Sequence, residues 1–135
     1  MSPDEFLAAH DTNLGAHLSI RFTGHGRDEI NAEMDAGANH TTFGGRVHGG
    51  ALMAFADTVG AYGAILNLPS AKHGTTTLES KTSFFLAARP GIIKAKSVPL
   101  HSGRSTMVWQ TSIFSPEGEL VAMVIQTQMV LSPRS

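Results

Sequence analysis

The sequence has no cysteine and only one tryptophan and one tyrosine. Without thiols there is no disulfide framework, no thiolate nucleophile and no cysteine-ligated metal. An excess of charge is also missing: ten Lys and Arg stand against eleven Asp and Glu, net −1, with no basic block or arm. That balance argues against nucleic acid as a partner. The seven histidines, at positions 10, 17, 25, 40, 48, 73 and 101, lack paired ligand spacing, so no metal site is expected. The opening Met1-Ser2-Pro3-Asp4-Glu5 is acidic and has no apolar signal core, so the expected address is cytoplasmic. Long hydrophobic runs are scarce too. The one that exists, Gly49–Leu66, contains Gly49, Gly50, Gly60, Gly63 and a central Asp57, a composition that argues against a membrane span although its length would suffice.

At 135 residues the chain reads as a single domain over 1–135, large enough to bury about two-thirds of its unfolded surface without staples. Ser2, Pro3 and Glu5 read as N-cap, first-turn proline and capping-box glutamate of a short helix over Pro3–His10. The core follows over about 17–131. His17–Thr23 and Asp28–Asp35 read as a hairpin around Gly24-His25-Gly26, with Ile30, Ala32 and Met34 on one face of its second strand. Glycine-rich 36–47 is a loop into the Gly49–Leu66 helix, and 67–74 with Pro69 leads out of it. Four further strands are expected: Thr75–Leu86, with Leu78, Phe84 and Leu86 in phase toward the core, then Ile92–His101, Arg104–Phe114 and Glu119–Leu131. Ser115-Pro116-Glu117-Gly118 has proline and glycine where a type I turn prefers them. The fold class is therefore α+β, an antiparallel sheet of five to six strands curled around one long buried helix.

Asp57 is the only charged residue of that helix and lies nine residues past His48. A helix apolar almost all round is expected to be buried on every side, where an unpaired carboxylate is costly. Asp57 is thus either satisfied locally by backbone or hydroxyls, or placed where a site interrupts the burial.

Gly45-Arg46-Val47-His48-Gly49-Gly50, followed by Ala51–Ala56 and Asp57-Thr58-Val59, resembles the hotdog-fold acyl-CoA thioesterases of the phenylacetic-acid-degradation type. The resemblance runs from about Gly45 to Leu131. It implies a sheet wrapped around a central helix, subunits joined edge to edge, an acyl-CoA substrate and no cofactor beyond its CoA. It gives Asp57 the role of nucleophile or general base and the Gly49 amide that of holding the thioester oxygen. It also places Thr77, with Thr76 as its neighbour, near a hydroxyl that bonds the attacking carboxylate or water. His48 orients the loop or contacts the substrate, beside Val47 and Gly50. Relatives often carry Asn or Gln six residues before the histidine; here that position is Thr42, with Asn39 and His40 as substitutes. The turn Gly103-Arg104-Ser105 matches one near CoA, where Arg104 would meet phosphate, with Lys72, Arg46 or Arg89 in support.

The chemistry is sound on its own terms. A helix N-terminus offers free amides and about half a positive charge, so Gly49 and Gly50 suit an oxyanion or phosphate. Gly49 and Asp57 are eight residues apart, about 12 Å of helical rise, too far to reach one carbonyl from a single helix. Two subunits must then share each site, as a two-fold dimer with paired helices allows, and dimers in this family often pair into tetramers. Glu79, a rival carboxylate, falls on the surface side of its strand. Phe43, Phe55, Tyr62, Phe84 and Phe85 are candidates for an acyl pocket. Two other functions remain open: a hotdog hydratase or dehydratase using His48 with Asp57, and a non-catalytic acyl-CoA or lipid binding module.

Overall fold

The computed structural model describes residues 1–134. Two short helices, α1 (Pro3–His10) and α2 (Leu14–His17), precede strands β1 (Ile20–His25) and β2 (Ile30–Ala36). Helix α3 (Gly49–Leu66) comes next, then β3 (Gly74–Phe84), β4 (Gly91–Ser102), β5 (Thr106–Phe114) and β6 (Leu120–Leu131). The six strands form one antiparallel sheet in the order β1-β2-β4-β5-β6-β3. This is the hotdog arrangement, with α3 crossing the concave face against β2 to β6.

Several local expectations hold for the reasons given. Ser2 Oγ accepts the Glu5 N–H at 3.1 Å and caps α1. Gly118 takes a φ of +87°, closing the β5–β6 turn with its N–H on Ser115 O.

Others are corrected. His17 ends helix α2, whose N-cap Asn13 accepts the Gly15 N–H, so β1 starts at Ile20 and not at position 17. Gly24 and His25 are strand residues, because a bulge after Phe22 lengthens β1 toward Ile30. In β3 a bulge sets Leu78 and Glu79 together opposite Thr127. The bulge turns Leu78 outward, 58% exposed, while Thr77, Ser80 and Thr82 are half-buried. Phe84 keeps the inward phase of Ser80 and Thr82 and lies beside Gly49, yet is 51% exposed, and Leu86, beyond the strand, is 47% exposed. Glu79 is exposed, as expected.

Helix α3 has the expected limits but is not buried all round. Its C-terminal half is packed tightly: Val59, Gly60, Tyr62, Gly63, Ala64 and Ile65 are all buried. Gly63 lies against Trp109 so closely that an added Cβ would come within 2.7 Å of the indole ring. In the N-terminal half Leu52, Phe55 and Ala56 face the sheet, whereas Gly50 and Met53 are exposed and Ala54, Asp57 and Thr58 are half-buried. One stripe of the helix is therefore only partly covered by the described residues.

Candidate active site

The loop before α3 is tied down on both sides. Val47 N–H donates to Ala88 O at 2.8 Å and His48 N–H donates to His40 O at 2.7 Å. His48 is extended (φ −61°, ψ 133°), and its Nδ1 accepts the Gly50 N–H at 2.7 Å, capping the helix. The ring proton of neutral His48 then sits on Nε2. The cap uses the Gly50 amide, which is not available to a ligand as the sequence suggested. The Gly49 N–H has no partner among the described residues and opens on a cleft of about 390 Å³ walled by Thr42, Val47, His48, Leu52, Phe84 and Phe85. It is an unpaired donor at the positive end of an 18-residue helix, suited to developing negative charge.

Asp57 lies elsewhere. It is half-buried, and its Oδ1 accepts two hydrogen bonds, from the Thr77 hydroxyl at 2.6 Å and from Gln126 Nε2 at 3.2 Å. Behind Thr77, Gln128 Nε2 donates to its Oγ1 at 2.6 Å, and Thr75 Oγ1 donates to Gln128 Oε1 at 2.9 Å. The carboxylate borders a separate recess of about 320 Å³, walled by Phe6, His10, Asn13, Leu14, Thr58 and Ala61.

The two recesses share no residue within one chain. Gly49 and Asp57 are not brought together, and neither are His48 and Asp57; the helical rise of about 12 Å keeps them apart. Thr77, rather than exposed Thr76, supplies the hydroxyl to Asp57. Thr42 lines the Gly49 cleft, whereas His40 is no substitute donor: its Nε2 donates to Leu18 O and its Nδ1 accepts the Gly37 N–H. Asn39 is exposed and outside the cleft lining.

Gly103, Arg104 and Ser105 form the β4–β5 turn, with Ser105 O on Val130 N–H. Through the β5–β6–β3 register this turn lies beside Thr76, about 25 Å along β3 from Phe84 and the cleft. Arg46 borders the cleft, Arg89 donates to Gly44 O, and Lys72 is exposed. Of the aromatic candidates, Phe84 and Phe85 wall the cleft, Phe55 and Tyr62 belong to the core, and Phe43 is 90% exposed. Burial pushes the Tyr62 phenol up, and its hydroxyl pairs with His25 Nδ1 at 2.7 Å.

Sequence reasoning missed Gln126 and Gln128. Both are fully buried, and both occupy the inward phase of β6 together with Ala122, Val124 and Val130. Amides on the apolar beat of a strand were the available signal.

The sequence profile of the thioesterase superfamily matches residues 44–122, more than half of the chain. The 1,4-dihydroxy-2-naphthoyl-CoA hydrolase of Escherichia coli is 29% identical over 124 residues, covering 92% of this chain and 90% of that protein. Among solved structures, a thioesterase from Haemophilus influenzae superposes with a TM-score of 0.90 at 24% identity, covering all of this chain and 94% of the other. A mutant thioesterase from Pseudomonas aeruginosa gives 0.89 at 23% identity, covering 97 and 94%. At these identities the structural likenesses speak to the fold.

Proposed function

The chain belongs to the thioesterase superfamily, and from that premise we propose that it hydrolyses acyl-CoA thioesters to the free acid and CoA at sites shared by two copies. The observation that carries this reading is the separation of a free amide at Gly49 from a hydrogen-bonded carboxylate at Asp57, both beside β3, one of the two edge strands of the sheet. Along β3, Gly49 sits next to the Phe84 ring and Asp57 beside Thr77. Antiparallel pairing of two β3 edges about a two-fold axis near Ser80 and Lys81 sets Phe84 of one copy opposite Thr77 of the other. Gly49 of the first then faces Asp57 of the second, twice over. The same rotation carries Gly103, Arg104 and Ser105 of each copy to the cleft end of the other, where Arg104 meets the CoA phosphates.

In the shared site the Gly49 N–H and the helix dipole hold the thioester oxygen as it gains charge. Asp57 attacks the carbonyl carbon to give a mixed anhydride, or takes a proton from an attacking water; the CoA thiolate leaves in either case. Water then splits the anhydride to regenerate Asp57. In a single turnover in ¹⁸O-labelled water, splitting at the Asp57 carbonyl puts an unlabelled enzyme oxygen in the first product and so identifies the anhydride route, whereas direct attack of water on the thioester puts the label in the product and leaves Asp57 unlabelled. We place the enzyme in the cytoplasm, with no cofactor beyond the CoA of its substrate, as a dimer able to pair into a tetramer. The activity named for the E. coli relative brings aromatic acyl groups into the substrate range alongside aliphatic ones.

A panel of aromatic and aliphatic acyl-CoA thioesters, followed by thiol release, tests the reaction. Saturable binding without turnover would make the protein a binding module, and hydration of an enoyl-CoA a hydratase. Mixing variants tests the sharing. Gly49→Pro removes the amide at a helix position that accepts proline, and Asp57→Asn removes the charge, so each homodimer should be nearly inactive. A purified heterodimer has one intact and one doubly damaged site and should recover about half of wild-type activity. No recovery from heterodimers folded by circular dichroism would sink the shared site.

A further inference from the structure

Resting on the reading of Asp57 as the reactive carboxylate, we infer that Gln126 and Gln128 are positioning residues: they fix Oδ1 of Asp57 and reserve Oδ2 for the thioester carbon or the attacking water. The direction of the network follows from its end point. An ionised carboxylate only accepts, so the one proton of the Thr77 hydroxyl is committed to Asp57 Oδ1. Thr77 Oγ1 must therefore accept from its other neighbour, which turns the Gln128 amide with Nε2 toward Thr77 and Oε1 toward the Thr75 hydroxyl. Gln126 is oriented independently. Its Nε2 faces both the backbone carbonyl of Asp57 at 3.4 Å and Oδ1 at 3.2 Å, and a flipped amide would set three oxygens against one another.

Both donors land on Oδ1, and no donor among the described residues reaches Oδ2. With one oxygen held by a half-buried hydroxyl and a fully buried amide, the carboxylate has a fixed plane and a single free oxygen. The helix takes part as well. A Cβ on Gly60 would overlap the end of the Gln126 side chain, so only glycine lets that amide lie under Asp57. Gln126 Oε1 is buried without a partner among the described residues, an arrangement retained although it carries a desolvation penalty. Such a penalty is expected where a side chain is held for what its other end does.

The experiment measures kcat and KM separately for the most rapidly cleaved thioester of the panel. Gln126→Met keeps the shape and removes the donor, and should lower kcat by about 10- to 100-fold with KM nearly unchanged. Gly60→Ala improves helix propensity yet displaces the same amide, and should lower kcat in the same way; it decides the question where Gln126→Met does not fold. Gln128→Glu turns the donor into an acceptor, drawing the Thr77 proton away from Asp57, and should lower kcat more than the apolar Gln128→Met. In the Asp57→Asn background, adding Gln126→Met should leave the residual rate unchanged, because there is no carboxylate left to position. Wild-type kcat in folded Gln126→Met or Gly60→Ala, or an equal loss in both backgrounds, would overturn the inference. Full activity in Asp57→Asn alone would instead remove the reading of Asp57 beneath it.

Discussion

The two edges of the sheet are built differently. At the β1 edge the strand is six residues long, bulged, and paired to β2 with an Arg21–Glu33 contact of 3.5 Å on its outer side. Its inner side is covered by aromatic rings: Phe6 of α1 lies against Phe22 of β1 and Tyr62 of α3, and His10 against Phe22. At the β3 edge the strand runs for 11 residues, its inward positions are Thr77, Ser80 and Thr82, and Leu78 and Phe84 are open to solvent. The helix follows the same division, buried throughout near Tyr62 and open along Met53, Ala54 and Asp57. Both strands are bulged and carry charged side chains, but a long edge with exposed apolar groups invites pairing with another strand, whereas a short edge resists it. The proposed dimer and its shared sites rest on this difference between a covered edge and an open one.

The comparison can be broken most severely at its chemical end. Asp57→Asn keeps the size of the side chain and removes its charge, so kcat for the best thioester should fall by ~10²-fold or more while circular dichroism stays native. Next comes the open edge itself. Leu78→Lys with Ser83→Lys sets like charges opposite each other across the proposed axis, and should give monomers by analytical ultracentrifugation that are nearly inactive, because each proposed site takes residues from both copies. Mixing with the Leu78→Glu, Ser83→Glu chain should restore both mass and rate, whereas Thr23→Lys on β1 should change neither.

The closed half of the helix should respond in stability alone. Gly63→Ala drives a methyl into the Trp109 ring and should cost about 1–3 kcal/mol in urea unfolding with kcat unchanged. The smallest effect is expected at the surface turn: Arg104→Gln should raise KM by about two- to fivefold, less at high salt, as for an exposed charge pair.

Much of this division was legible in the sequence, and its failures are informative. The limits of α3 follow from an apolar run with a single charge, set between a glycine-rich loop and the Pro69 segment, all local properties. Thr77 was identified as the hydroxyl facing Asp57, and the structure records that bond at 2.6 Å. The expected phase of β3 fails at Leu78, because a bulge at Leu78 and Glu79 shifts the alternation there by one residue, and nothing local in Thr-Leu-Glu announces it; Phe84, beyond the bulge, keeps its inward phase. His40 and Gly50 were assigned to the ligand because their donors are free in a bare sequence. Folding commits them instead, His40 to Leu18 O and Gly37 N–H, and Gly50 to His48.

By itself the sequence determined six strands around a single long helix, the limits of that helix and the placing of one carboxylate nine residues beyond a histidine, because these depend on spacing and local backbone preference. Only the tertiary structure decided that the helix is covered on one side and open on the other. It alone set Gln126 and Gln128 beneath Asp57 and left the Gly49 amide free while Gly50 was capped. Those outcomes depend on which strands become neighbours across tens of residues, and a hydrogen-bond donor is free or engaged only once the whole chain has chosen its partners.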